Sequence, residues 1–408
     1  MADKEFDLIV FGATGFTGRL VAEYLHLSGA AGARWAIAGR SLDKLARVRD
    51  ELHLSPSVAL LKADASDAKA LKALVARTRV VITTVGPYQL YGEPLATACA
   101  EGGADYVDLC GEPLWMAKMI DKLTPLAQKS GARIVFSCGF DSIPFDLGVV
   151  YLQAEAQTRF GKPFAEVRGR VARVKGTASG GTLASMMETI EAVRREPALL
   201  KVMSNPFALT PGFKGPRQPS GQGADFDDWA DAWSAPFFMA TINTKNVHRS
   251  NALRGHPWGQ DFVYSEKLLT GRPGQADKGR KKAVALARFN KLQNLALGFG
   301  PTRALLRRFV LAKPGEGPDK AAREAGHYQL WFTGKTAGGE TLRAIVKGDR
   351  DPGYGSTCKL ISEAALCLAQ EVDRSATPGG VWTPGSAMGL ALVRRLHARA
   401  GLTFEIAA

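Results

Sequence analysis

The chain has 408 residues, 46% of them hydrophobic, and a formal charge of +14. That length and composition suit a soluble globular protein with two or three cores. No apolar run reaches the roughly 18 residues of a membrane-spanning helix, and the polar, acidic start from Met1 to Asp7 does not read as a secretory signal.

The first predicted element is a buried strand, Phe6 to Phe11, running into the turn Gly12-Ala13-Thr14-Gly15-Phe16-Thr17-Gly18. Glycines there let the backbone bend sharply and approach a diphosphate, whose charge the N-terminus of the next helix, Arg19 to Leu27, would meet. The spacing is G-x-x-G-x-x-G, with Ala13 near the usual first glycine. The second strand, Trp35 to Gly39, ends in Arg40-Ser41, with Lys44 one helical turn on. Sites selective for NAD place a carboxylate there, to accept bonds from the ribose 2′-hydroxyl. A guanidinium and a hydroxyl favour a 2′-phosphate instead, so NADP(H) is the expected cofactor. The alternative is that Arg40 is a solvated helix-start residue.

Strand and helix go on alternating. Helix Leu42 to Leu52 precedes strand Val58 to Ala63, which closes on Asp64; helix Ala68 to Ala76 precedes strand Val80 to Val85, which closes on Gly86-Pro87-Tyr88. Helix Pro94 to Glu101, strand Asp105 to Cys110, helix Pro113 to Ser130 and strand Arg133 to Cys138 follow. The pattern predicts an α/β fold with a doubly wound parallel sheet over residues 1–150. Ligands in such sheets sit beyond the carboxyl ends of the strands, which gathers Asp64, Val85, Gly86, Pro87, Tyr88, Gly111, Gly139 and Phe140 around one crevice, near Cys110 and Glu112.

From residue 151 the rhythm changes. Glu166 to Lys175, Phe237 to Asn246, His327 to Thr333 and Thr341 to Lys347 read as strands among long irregular stretches. Helix Thr182 to Arg195 opens after the flexible turn Gly176 to Gly181. Residues 151–350 therefore read as an inserted α+β domain with a mainly antiparallel sheet. Within it, residues 278–313 hold ten Lys or Arg and no Asp or Glu, with apolar side chains at helical spacing that include Leu305, Leu306, Phe309 and Val310. This basic amphipathic segment fits either peripheral contact with a membrane or a helical pair with a solvated face. No nucleic-acid-binding motif accompanies the charge. Residues 351–408 return to helices, Thr357 to Asp373 and Ser386 to Ala400, before a short strand, Leu402 to Ile406. The five cysteines are scattered without a C-x-x-C pair, which excludes a disulfide frame or a zinc site and fits the cytoplasm. No histidine pair has metal-ligand spacing.

Placed side by side, Gly12 to Arg19 (GATGFTGR), Ala38 to Ser41 (AGRS), Val85 to Tyr88 (VGPY), Tyr106 to Glu112 (YVDLCGE), Gly139 to Gly148 (GFDSIPFDLG), Gly176 to Thr182 (GTASGGT), Pro314 to Pro318, Gly353 to Thr357 and the turn Trp382-Thr383-Pro384 resemble the saccharopine dehydrogenase-like oxidoreductases. Within them the chain is most similar to the trans-acting enoyl reductases. The resemblance runs nearly end to end. It implies an NADP-binding Rossmann domain, the inserted domain, and C-terminal helices that pack back on the first domain.

The resemblance also implies a hydride transfer from NADPH to an unsaturated, largely apolar substrate of enoyl, polyketide or lipid type, free or carrier-bound. Two alternatives stand beside it. One is a saccharopine-type amino-acid dehydrogenase, whose substrate carboxylates call for a cationic cluster that the sequence does not display. The other is a non-catalytic NADP-binding protein that docks on lipid. A homodimer is left open. An enoyl reduction needs a proton donor for the α-carbon, and three candidates stand out. Tyr88, after a rigid Gly-Pro, could donate, or could pack against the nicotinamide. Asp141 could serve as a general acid, or could shape its turn. Tyr354, in a Gly-Tyr-Gly turn, could point into the cleft between domains or lie on the surface. Glu112 reads as a helix N-terminal charge, and Ser179 as a helix cap.

Overall fold

The structure is a computed structural model that describes residues 4–176, 180–271, 274, 276–298 and 317–407. Strands β1 (Phe6–Phe11), β2 (Trp35–Gly39), β3 (Ala59–Lys62), β4 (Thr78–Thr83), β5 (Asp105–Val107) and β6 (Arg133–Val135) alternate with helices α1 (Phe16–Leu27), α2 (Leu42–Glu51), α3 (Ala68–Ala76), α4 (Tyr88–Gly102) and α5 (Pro113–Ser130). The chain continues through α6 (Ile143–Phe160), β7 (Glu166–Lys175), α7 (Gly180–Arg195), α8 (Leu200–Ser204), β8 (Asp225–Asp227), β9 (Ala232–Pro236), α9 (Ala240–Leu253), β10 (Val263–Leu269) and α10 (Ala276–Gly298). It ends with α11 (Lys320–Ala325), β11 (His327–Lys335), β12 (Thr341–Gly348), α12 (Thr357–Gln370), β13 (Gly380–Trp382), α13 (Pro384–Ala387), α14 (Gly389–Arg399) and β14 (Leu402–Ile406).

The first sheet has the order β13-β6-β5-β4-β1-β2-β3, and every pairing in it is parallel. Its central strands are apolar on both faces, with Leu8, Ile9, Val80, Val81, Ile82, Ile134 and Val135 fully buried, as helices covering both sides require. The doubly wound reading thus holds, with a seventh strand that the sequence did not announce. Trp382, expected to open the turn Trp382-Thr383-Pro384, instead closes the strand Gly380–Trp382, which pairs with β6 and extends the sheet.

The second sheet, β14-β12-β11-β7-β10-β9-β8, is antiparallel except where β10 runs parallel to β7. Helices α6 and α12 lie in the continuous core that joins it to the first sheet: Val10, Ile82, Phe145, Phe332, Val346 and Leu366 belong to one cluster. Arg133 pins this arrangement. Its guanidinium is buried on Asp105, at 2.5 Å, and donates to the carbonyls of Leu368, in the last turn of α12, and Val372, just beyond it.

One predicted strand is overturned. Phe237 to Asn246 is β-branched and aromatic enough to suggest extended chain, yet β9 stops at Pro236 and Ala240–Leu253 is the helix α9. The reason is tertiary. Asn243, Asn246, Arg249, Ser250 and Asn251 are all buried, and each side chain finds a hydrogen-bond partner across the helix's neighbours. Those bonds outweigh local propensity.

Candidate active site

The glycine turn is built by close approach. Gly12 has φ +89°, and a Cβ there would lie 2.6 Å from Val85 Cγ2; a Cβ on Gly18 would lie 2.2 Å from the Gly12 carbonyl oxygen. Helix α1 begins at Phe16, three residues before the predicted start, so its first N–H groups face the turn. Arg40, at the end of β2, is exposed and within electrostatic reach of Asp64, whose carboxyl is held below the usual range by the Ser66 N–H and hydroxyl. Ser41 caps α2, accepting from the Lys44 N–H at 3.3 Å. A cradle that only glycine fits, a helix N-terminus and an exposed guanidinium suit a dinucleotide with a 2′-phosphate. When bound, NADP(H) would rest its diphosphate on Gly12–Gly18 and its 2′-phosphate near Arg40.

Strand order then places the other half of the crevice. By the rule for such sheets, a bound dinucleotide would set its adenosine half over the ends of β2 and β3 and its nicotinamide half over those of β4, β5 and β6. There a cavity of about 1010 Å³ opens, bounded by Gly86, Tyr88, Gly111, Gly139, Phe140 and Asp141 at the sheet. Its far wall is supplied by α7, α8, α9 and α10, through Met186, Ile190, Val193, Leu200, Met203 and Ile242 among others, and by Phe237 and Phe238 in the link from β9 to α9. Among the described lining residues, Asp141 is the only carboxylate and Arg194 the only cation. Arg194 sits 3.2 Å from Glu191. A groove of about 730 Å³ beside α10 shares Gln222 and Pro236 with the cavity.

The three proton-donor candidates separate clearly. The Tyr88 hydroxyl is buried, donating to the Thr83 carbonyl at 3.2 Å and accepting from the Leu109 N–H at 3.0 Å. Burial and the neighbouring Asp108 push its phenol well above the ordinary range, so it braces the β4 and β5 strand ends. Tyr354 is not on the cavity surface. Its ring packs edge-on against Phe16 at 4.8 Å, and its hydroxyl accepts from the Gly180 N–H at 2.9 Å, tying the glycine turn to the start of α7. Asp141 does face the cavity, makes no hydrogen bond to a described residue through its carboxyl, and is pushed up to about 7 by burial.

Glu112 is a helix N-terminal charge, though of a helix other than its own. Lying one residue before α5, it is 1% exposed, and its carboxylate accepts from the Tyr88 and Gln89 N–H groups, both at 2.8 Å. These are the first residues of α4. Ser185 on α7 adds a third bond at 2.6 Å. One buried carboxylate therefore joins the Gly86–Tyr88 loop to the helix that walls the cavity. The sequence showed the charge but not its target. Ser179 and residues 299–313 of the basic segment lie outside the described residues. Within the described part, α10 exposes Phe289 (61%) and Leu292 (65%) among Lys281, Lys282, Arg288 and Lys291. No described helix is long and apolar enough to cross a membrane, and no described cluster of His, Cys, Asp or Glu could hold a metal ion.

Residues 8–135 match the family described as the saccharopine dehydrogenase NADP binding domain. A provisionally named trans-acting enoyl reductase of Mycobacterium tuberculosis (strain ATCC 25618 / H37Rv) is 40% identical, the alignment spanning 98% of this chain and 97% of that protein. A trans-acting enoyl reductase of Mycobacterium ulcerans (strain Agy99) is 37% identical over 97% of this chain and 96% of its own. Apo saccharopine dehydrogenase (L-Glu forming) from Saccharomyces cerevisiae superposes with a TM-score of 0.53 at 12% identity, covering 99% of this chain and 100% of the other, which shows a common fold.

Proposed function

We propose that this chain, which belongs to the trans-acting enoyl reductase family of saccharopine dehydrogenase-like oxidoreductases, reduces a carbon–carbon double bond in a largely apolar, lipid-like substrate. It is an oxidoreductase with an NADP-binding domain; the nature of the acceptor is the proposal. The observation that carries it is the cavity of about 1010 Å³, whose described wall past the strand ends is dominated by Met, Ile, Val, Leu and Phe. A site for an amino acid joined to a dicarboxylate needs several fixed cations, and Arg194, the one cation among the described lining residues and already beside Glu191, does not supply them.

When bound, the nicotinamide supplies hydride to the β-carbon. The chain itself supplies orientation, a dry wall and a proton. Asp141 is protonated over part of the neutral range and lies on the cavity surface, so it is placed to protonate the α-carbon. Tyr88 and Glu112 fix the Gly86–Tyr88 loop, and Tyr354 fixes the glycine turn against α7. Phe289 and Leu292, exposed among four cations on a helix whose Asn290 and Gln293 line the cavity, support delivery of the substrate from an anionic lipid surface.

The test is NADPH oxidation with enoyl thioesters of increasing chain length, run beside lysine-derived imines. Turnover that rises with apolar chain length supports the reading; turnover confined to the imines contradicts it. Tight NADPH binding without turnover on either class would support the non-catalytic alternative.

A further inference from the structure

Helix α10 borders two spaces. Asn290 and Gln293 line the cavity. Val284, Ala287, Arg288 and Lys291, spaced i, i+3, i+4 and i+7 along one stripe, line the groove of about 730 Å³. The wall facing that stripe is Gly223 and Ala224, and Gln222 and Pro236 border groove and cavity alike. Both walls are fixed. Ala283 is fully buried, and the Thr270 hydroxyl, one residue past β10, donates to the Gly279 carbonyl at 2.9 Å, which holds α10 to the second sheet. Ala224 runs straight into β8, which pairs with β9. The described groove surface is rich in carbon. Ala224, Pro236, Val284 and Ala287 are apolar, and Arg288 and Lys291, both exposed, add aliphatic stems that carry their charges to solvent.

Size gives this space a use. The cavity of about 1010 Å³ takes in Thr17, Thr84 and Gly353 at the cofactor crevice as well as the apolar wall, so bound NADP(H) would fill part of it. A space of about 300–1,000 Å³ holds one drug-sized ligand; a nicotinamide and a long chain together need more. The described continuation runs past Gln222 and Pro236 into the groove. We infer that the groove beside α10 is a distal substrate subsite that takes the far end of an apolar chain, and that Val284, Ala287 and Gln222 set which chain lengths are reduced. This rests on the proposed reading of the substrate as apolar and unsaturated. The double bond stays by the strand ends, and methylenes beyond Gln222 and Pro236 leave water for the groove. Binding energy gained there, remote from the reacting carbons, helps to hold them in place. About two methylenes buried in the groove are worth roughly tenfold in kcat/KM.

The experiment is kcat/KM against chain length, with enoyl thioesters from short to long, for the wild-type protein, A287F and Q222W. The two substitutions fill the groove and its entrance from facing walls, at a half-buried and an exposed residue. Each is expected to lower kcat/KM for the longest chains at least about tenfold more than for the shortest, so that the rise with length stops earlier. A folding defect would act on all lengths alike, and Tm and NADPH affinity are measured beside it. The other occupant for a groove rimmed by two cations is a phosphate on the handle of the thioester. R288E/K291E, assayed on a phosphate-bearing thioester and its phosphate-free analogue, tests that. A loss confined to the phosphate-bearing thioester, with A287F and Q222W profiles parallel to wild type, would overturn the inference in favour of the handle. Parallel profiles without that loss would assign the groove to solvent and overturn it too, while the proposed reduction stands. If the wild-type protein reduces no enoyl thioester, the reading of the substrate fails and the inference falls with it.

Discussion

Replacing Glu112 by Gln tests the joint between the cofactor loop and the cavity wall. The carboxylate accepts three bonds, from the Tyr88 and Gln89 N–H groups and the Ser185 hydroxyl, and none of this is solvated, since the side chain is 1% exposed. The amide keeps one oxygen and turns an NH2 toward the other contacts. One N–H at the α4 terminus is then buried without a partner, which costs about 1–3 kcal/mol. Loss of a buried charge at the positive end of the helix adds roughly 0.5–2 kcal/mol. The expected destabilisation is about 1.5–5 kcal/mol, a fall in Tm of roughly 2–6 °C for a chain of this size. Differential scanning calorimetry at one scan rate, with S185A alongside as the smaller perturbation, measures it. A change in Tm below about 1 °C for E112Q would show that the carboxylate does not cap α4.

Three further outcomes follow from the cofactor crevice and α10. R40D should weaken NADPH binding far more than NADH binding, by at least tenfold in the ratio of Kd values; equal losses would remove the 2′-phosphate role. G18A should abolish binding of both cofactors without unfolding the chain, because the new Cβ meets the Gly12 carbonyl within 2.2 Å; titration by nicotinamide fluorescence reads it. The double change F289S and L292S should lower binding to anionic vesicles several-fold while leaving NADPH affinity intact, by vesicle co-sedimentation; binding that is unchanged would assign α10's exposed face to solvent.

The cofactor half of the site was legible because its signals are local. The Gly12 to Gly18 turn and Arg40 carry their meaning in sequence spacing, and strand ends gather at one edge by a rule of the parallel sheet. The substrate half was not, because it depends on contacts between distant segments. Glu112 could be read as a helix-start charge, but only the fold brings α4 and Ser185 onto it. The strand expected over Phe237 to Asn246 became a helix because its polar side chains are satisfied by β10 and by the Ser142 turn. Tyr88 and Tyr354, plausible donors by position, spend their hydroxyls on backbone groups. Asp141 remains on the cavity surface.

The central claim is that hydride goes to carbon in an apolar, unsaturated chain. Incubation with C4-deuterated NADPH and a long-chain enoyl thioester, followed by mass spectrometry and NMR of the product, tests it directly. The account predicts a saturated thioester with deuterium on the β-carbon and a solvent proton on the α-carbon. Deuterium on a carbon bearing nitrogen, from an imine supplied in competition, with the thioester left unsaturated, would contradict it.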